Sequence, residues 1–262
     1  SRNINKSIHY LTLSANQNNL DAQFLLGKIY CLNEIISRDI HKSIHYLTLS
    51  ANQNHSYGQC LLGYIYYSCE YISRDVNKSI HYLTLSANQN NSSAQYLLGE
   101  IYYLGEYISR DITKSIHCLT LSANQNHSYA QYYLGEIYYL GEYISRDINK
   151  SIHYFTLSAY QNNSYAQYYL GEIYYKGKYV SRDINKSIHF LTLSANQNNS
   201  DAQYLLGEIY YLLNYVSPNI NKSIHYLTLS ANQNNSNAQY LLGKIYYTGE
   251  FISRDINKSI QY

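Results

Sequence analysis

The sequence predicts an all-α protein, an α/α superhelix (α-solenoid) of tandem two-helix repeats, and three observations carry that prediction. One 36-residue segment, SRDITKSIHCLTLSANQNHSYAQYYLGEIYYLGEYI at 109–144, recurs without insertion from Ser1, Ser37, Ser73, Ser109, Ser145, Ser181 and Ser217, and ten residues of an eighth copy start at Ser253. Within each copy the apolar residues return at intervals of three and four, the spacing of a helix face. No linker separates the copies, so each can bury its apolar surface only against its neighbours. Residues 1–262 are therefore expected to form a single repeat array.

The first helix of the unit is expected over 112–124, with Ile112, Ile116, Leu119 and Ala123 on its packed face. Asp111 stands where its carboxylate can accept the unpaired amides of the first turn, and Asp39, Asp75, Asp147, Asp183 and Asp255 repeat it. Asn3 and Asn219 are expected to serve as replacements. The polar stretch 124–127 ends this helix, and Ser128 reads as the N-cap of a second one running to about Leu140, with Ala130, Leu134, Ile137 and Tyr138 on one face. Gly135 interrupts it at a cost of about 1 kcal/mol in helix propensity. Every repeat keeps that glycine, from Gly27 to Gly243, which points to close backbone approach between paired helices. Gly141 then supplies a left-handed helix end, repeated at Gly105, Gly177 and Gly249. Asn33, Cys69 and Leu213 replace it, and altered turns are expected at the last two, the turn after Leu213 carrying the only proline, Pro218, as well.

The net charge is +2 and charged residues make up 14%, too few and too dispersed for a groove that tracks a nucleic-acid backbone. No apolar run reaches membrane-spanning length, so no direct membrane insertion is expected. The four cysteines, Cys31, Cys60, Cys69 and Cys118, occupy four different repeat positions, unlike a disulfide framework; this favours the cytoplasm. The absence of methionine and the start inside the pattern suggest a segment of something longer. The Asn-x-Ser triplets, such as 54–56 and 126–128, follow from an asparagine-rich repeat.

The unit reads Ala-Gln-Tyr-x-Leu-Gly-x-Ile-Tyr-x-x-Gly-x-x-Ile-x-x-Asp-x-x-Lys-Ser-x-x-Tyr-x-x-x-Ser-Ala. It resembles the Sel-one-like repeat, a relative of the tetratricopeptide repeat. The family's small residue matches Ala130, its Leu-Gly pair Leu134 and Gly135, its core tyrosine Tyr138, its turn glycine Gly141, and its Asp-x-x-Lys Asp147 and Lys150. Ser151 replaces the usual alanine, Tyr154 is the aromatic, and Ser158 with Ala159 stands for the double alanine. Where family members carry a glycine, this chain has the loop 161–164, and it lacks the in-repeat disulfide of members that act on β-lactams. The resemblance implies a protein-interaction scaffold that binds a protein or peptide.

No constellation suggests an enzyme, a cofactor or a metal site. His9, His45, His81, His117, His153, His189 and His225 recur singly, and helices about 8–10 Å apart cannot bring them within the ~2 Å of one ion that a metal centre needs. Glu100, Glu136, Glu172 and Glu208 likewise come one per repeat. Two stripes stand out as partner-binding candidates. One is a leucine column on the outward side of the first helix, Leu85, Leu121, Leu157 and Leu193 with Leu13, Leu49 and Leu229. The other is aromatic and lies on the side of the second helix turned from the first, the concave lining of such a solenoid: Tyr96, Tyr103, Tyr132, Tyr139, Tyr168, Tyr175, Tyr204 and Tyr211. Packing between successive repeats competes for these tyrosines. The near identity of the repeats also suits a second expectation, self-assembly into a lateral oligomer or filament.

Overall fold

The computed structural model describes residues 2–32, 39–68, 70–213, 219–249, 252–253 and 255–261. Those residues form helices and connections with no strand among them. First helices of the repeats are α1 (Arg2–Ala15), α3 (Ile40–Asn52), α5 (Val76–Ala87), α7 (Ile112–Ala123), α9 (Ile148–Tyr160), α11 (Ile184–Asn196), α13 (Ile220–Ala231) and α15 (Ile256–Gln261). Second helices are α2 (Leu20–Leu32), α4 (Ser56–Ser68), α6 (Ser92–Leu104), α8 (Ser128–Leu140), α10 (Ser164–Lys176), α12 (Ser200–Leu213) and α14 (Ser236–Thr248). The chain divides into two compact units, Ser1–Tyr133 and Leu134–Tyr262.

Helix starts follow the carboxylate reading. Asp39, Asp75, Asp111, Asp147 and Asp183 accept from the amides of Lys42, Lys78, Lys114, Lys150 and Lys186 at 2.9–3.0 Å. The backbone bonds hold the carboxyls of Asp39, Asp75 and Asp111 below the usual carboxylate range, assisted by the lysine side chains. Two expected substitutes act differently. Asn3 lies inside α1, and Asn219 occupies the N-cap position of α13 with no side-chain cap bond, its backbone carbonyl accepting from the amides of Lys222 and Ser223.

The second helix begins one residue earlier than read. Ser128 and its equivalents are helical, and the cap is the residue before them: Asn91, Asn163, Asn199 and Asn235 accept from the amides three residues on at 2.9–3.1 Å. His55 takes the same role through Nδ1, from Gly58 at 3.1 Å. The preceding residue, Asn18, Asn54, Asn90, Asn126, Asn162, Asn198 or Asn234, has φ of 61–65°. Asparagine is the non-glycine residue best suited to that left-handed geometry, and it turns the chain between helices in three or four residues. Gly105, Gly141, Gly177 and Gly249 end their helices at φ 60–64°, as expected. Helix α12 continues through Leu213, but the turn after it, with Pro218, lies outside the described residues, as do Asn33 and Cys69.

Packing is closest between a second helix and the first helix of the following repeat. A Cβ on Gly99 would sit 2.6 Å from Leu119 Cγ, and one on Gly135 would sit 2.5 Å from a ring carbon of Phe155. Leu83, Leu119, Phe155, Leu191 and Leu227 are fully buried in these seams. The packed face of the first helix is rotated from the expected one: Ser115, Leu119, Ser122 and Ala123 are buried, whereas Ile112 and Ile116 are half-buried. The buried serines bond across repeats. Ser115 donates to Gly99 O at 2.8 Å, and Ser122 to Ser92 O at 2.7 Å.

A glutamine ladder reinforces the loop end of each unit. Gln95 is buried and donates through Nε2 to Ala87 O at 3.3 Å, while its Oε1 accepts from Gln125 at 2.7 Å. Gln59 accepts from Gln89, Gln167 from Gln197 and Gln203 from Gln233, each at 2.7 Å. Polar groups this deep are tolerated because both ends of the amide are bonded.

Candidate protein-binding faces

The leucine column is partly exposed, except at Leu49, which is half-buried. Leu85, Leu121, Leu157 and Leu193 are 36–40% exposed, and Leu13 and Leu229 share the position. The histidines four residues earlier are exposed in every repeat, and several pack edge-on against the next residue, as His81 does on Tyr82 at 5.1 Å. In unit 1 this surface is carried by α1, α3, α5 and α7, and in unit 2 by α9, α11 and α13. Leucine reaches it because position 121 is two residues past the buried Leu119, about 200° around the helix.

The tyrosines divide between packing and surface. In unit 1, Tyr96 and Tyr103 meet at Tyr133, with ring centroids 6.0 and 5.5 Å away, and Tyr132 lies beside the same ring at 5.2 Å. Glu100 accepts from Tyr96 at 2.7 Å and from Tyr133, one repeat on, at 2.8 Å. In unit 2, Glu172 gathers Tyr168 at 3.2 Å, Tyr139 at 3.0 Å and the Lys176 ammonium at 2.8 Å. Tyr204 donates to Glu208 at 3.0 Å. Burial, then the adjacent carboxylates, push the phenols of Tyr96, Tyr139 and Tyr168 well above their ordinary range, and that of Tyr204 to about 12. Tyr175 is half-buried, its ring 5.2 Å from the Arg182 guanidinium. Tyr211 is 6% exposed and belongs to the core with Leu227 and Leu242, so it offers almost no binding surface. Packing has thus taken up much of the stripe.

Sequence reasoning missed a third exposed set. Tyr71, Tyr107, Tyr143 and Tyr179 project from the loops after the second helices. Arg74 donates to the helix-end carbonyl of Tyr67 at 2.6 Å and lies 4.0 Å over the ring of Tyr107 one repeat on. In unit 2, Arg146 donates to Tyr139 O and Leu140 O, and also bonds the hydroxyl of Tyr179. The signal was present as an arginine directly before each aspartate cap and three residues after an aromatic or aliphatic position of the preceding turn, but its mate lies 33 residues further on, in the next such loop.

Among the described residues no three His, Cys, Asp or Glu side chains converge as a metal site would require, and no helix is long and apolar enough to cross a membrane. Cys31, Cys60 and Cys118 are free thiols, and burial raises that of Cys60 to about 11.

A family model described as Sel1 repeat matches residues 1–19, 20–55, 56–91, 92–127, 128–163, 164–199, 200–235 and 236–262. Its frame starts at the second helix, so each full-length match from 20–55 to 200–235 contains one of the close glycine seams. Among curated protein sequences none matches. The chain is similar to the crystal structure of a protective antigen of uropathogenic Escherichia coli that displays an SLR fold, at 25% identity and TM-score 0.89, over 97% of this chain and 54% of that one. The chain thus spans about half the length of that antigen. It is also similar to a Sel1 repeat protein of Oxalobacter formigenes, at 27% identity and TM-score 0.76, over 99% of this chain and 75% of that one. An immunity protein of Pseudomonas aeruginosa, 14% identical with TM-score 0.51 over 83% and 82% of the chains, shares the fold alone.

Proposed function

The chain belongs to the Sel1 repeat family, and from that premise we propose that it is a non-catalytic scaffold that binds a protein or peptide through the outer face of its first helices. One observation supports this above the others: Leu13, Leu85, Leu121, Leu157, Leu193 and Leu229 are partly exposed at one repeated position, while Leu83, Leu119, Phe155, Leu191 and Leu227 two residues earlier are fully buried. An apolar residue held at the surface so regularly marks an interaction site more strongly than a scattered one. The tyrosines are the weaker candidates, because the hydroxyls of Tyr96, Tyr139, Tyr168 and Tyr204 are bonded to glutamates within the chain and Tyr211 is buried. The regular leucine face also favours a second reading, in which the partner is another copy and the chain assembles laterally.

The test uses Leu157→Lys combined with Leu193→Lys, both in unit 2. Light scattering over a concentration series reports self-association, and peptides selected by display on the unmodified chain report heterologous binding. Loss of the selected peptides' affinity by tenfold or more (about 1.4 kcal/mol) supports the scaffold reading. Oligomers that dissolve in the double variant assign the face to a second copy. A monomer whose selected peptides bind both chains equally well overturns the reading.

A further inference from the structure

In five repeats the first helix carries an aromatic ring just after its histidine, and that ring lies flat against a tyrosine of the preceding second helix. Tyr46 lies on Tyr30, Tyr82 on Tyr66, Tyr154 on Tyr138, Phe190 on Tyr174 and Tyr226 on Tyr210, with centroids 6.0–6.2 Å apart and planes within 5–8°. The fourth repeat departs from this. Its residue is Cys118, and no ring stands opposite Tyr102. A thiol is much smaller than a phenol, and Cys118 lines an open cavity of about 470 Å³ among α5, α6 and α7, wholly within unit 1. Thr84, Leu98, Tyr102, Cys118 and Leu121 form its walls, and Lys114 and His117 stand at its rim.

The chemistry of this notch is specific. Tyr102 offers a flat face of the kind that five sister tyrosines use to seat a ring, and offset or parallel aromatic contact adds about 0.5–1.5 kcal/mol beyond burial. The Lys114 ammonium lies 5.3 Å over the Tyr102 ring and 3.2 Å from Asp111, an exposed pair that can exchange partners. No carboxylate lines the cavity itself; the nearest, Asp111, pairs with Lys114 at its exposed rim and would yield that ammonium to an acidic group seated in the cavity. The volume falls in the range of ligand pockets, about 300–1,000 Å³.

The geometry points to a binding site for the aromatic side chain, tyrosine or phenylalanine, of a partner polypeptide that carries an acidic residue beside the ring. The ring seats on Tyr102 where the other repeats seat their own, and the acid meets Lys114. The inference rests on the reading of the first-helix face as the side partners approach, since Leu121 belongs to both. It gives that face a fixed register, because in unit 1 the fourth repeat alone lacks a ring opposite the tyrosine of the preceding helix.

The probe is the capped dipeptide N-acetyl-Glu-Tyr-amide, with N-acetyl-Glu-Ala-amide as control, added to the whole chain at about 10 mM, an order above a millimolar dissociation constant. Iodoacetamide labelling, mapped peptide by peptide, reads access to Cys118, with Cys31 and Cys60 as internal references. The tyrosyl probe is expected to slow Cys118 labelling several-fold and leave the other two unchanged, while the alanyl probe has no effect. Saturation transfer from protein to probe ring is expected to persist in Cys118→Ala, which keeps the notch, and to disappear in Cys118→Tyr, which restores the sixth ring pair and raises Tm. Unprotected Cys118 together with equal saturation transfer in the two variants overturns the inference. The Leu157→Lys, Leu193→Lys chain separates the two readings: the notch stays protected there even if those leucines prove irrelevant to partners.

Discussion

Leu119 and Leu121 sit two residues apart on α7, recur together in every full repeat but the fifth, where Phe155 takes the first place, and have opposite fates. Leu119 is fully buried against Gly99, while Leu121 is 40% exposed beside His117. Repetition therefore shows that a position matters to the unit without showing whether it serves packing or contact with something outside. The difference comes from geometry: 100° of rotation per residue carries one leucine into the seam and its near neighbour out of it.

The contrast can be tested in order of expected size. Leu119→Ala should cost about 2–5 kcal/mol, since the seam cannot close over the lost volume when a glycine backbone already lies against it. Denaturant unfolding measures this, and a loss no larger than that of a surface substitution would erase the distinction. Gln95→Ala should cost about 1–3 kcal/mol, because Ala87 O and the Gln125 amide would both lose a buried partner. Gln95→Glu, which keeps an acceptor for the Gln125 amide but sets a buried carboxylate against Ala87 O in place of a donor, should recover none of the stability. Leu193→Lys should change stability by no more than about 0.5 kcal/mol while carrying the binding effect described above; an unfolded product would place Leu193 with the seam.

Acid should act on the helix starts. The folded-state carboxyls of Asp39, Asp75 and Asp111 lie below their ordinary value of 3.8, chiefly through the lysine backbone amides. Their contribution is complete above that value and is lost as pH falls through the lowered folded values. A circular-dichroism titration of the chain should show helix loss in that window, and Asp75→Asn with Asp111→Asn should shrink the pH-dependent part. An undiminished acid transition in that variant would assign it to other groups.

The sequence was most legible where a residue acts within its own segment. Asp111 capping α7, Gly141 at φ 64° and the helical intervals of Leu119 and Ala123 are local, and each was read correctly from spacing. Ser128 was misread because serine and asparagine are both good caps and they stand side by side; Asn163 and Asn199 hold the position that Ser164 and Ser200 were expected to take. The glutamine ladder and the Tyr133 to Glu100 bond escaped notice for a different reason. They join residues 30 and 33 apart across two helices, and only the pitch of one repeat on the next reveals those offsets. Tyr211 shows the same limit: its wheel position matches Tyr103, yet it is buried and Tyr103 is half-buried. The Cys118 notch was visible in the sequence as one cysteine among aromatics, but not that the cysteine lines an open space.

The fixed offsets of those cross-repeat bonds bear on how the chain can change its length. Gln125 reaches Gln95 by the same 30-residue step that takes Gln89 to Gln59, and Ser122 reaches Ser92 as Ser86 reaches Ser56. Excising residues 56–91 would bring Gln95 against Ala51 O in the place Gln59 now holds, and copying them in tandem would set the second Gln59 against the first Ala87 O in the place Gln95 now holds. Every bond would find an equivalent partner across the new junction. A gain or loss of 36 residues is therefore structurally silent at the seams, whereas a shift of even one residue would misalign all of them. Genes encoding such a chain can lengthen or shorten by unequal recombination between near-identical segments and still specify a folded product.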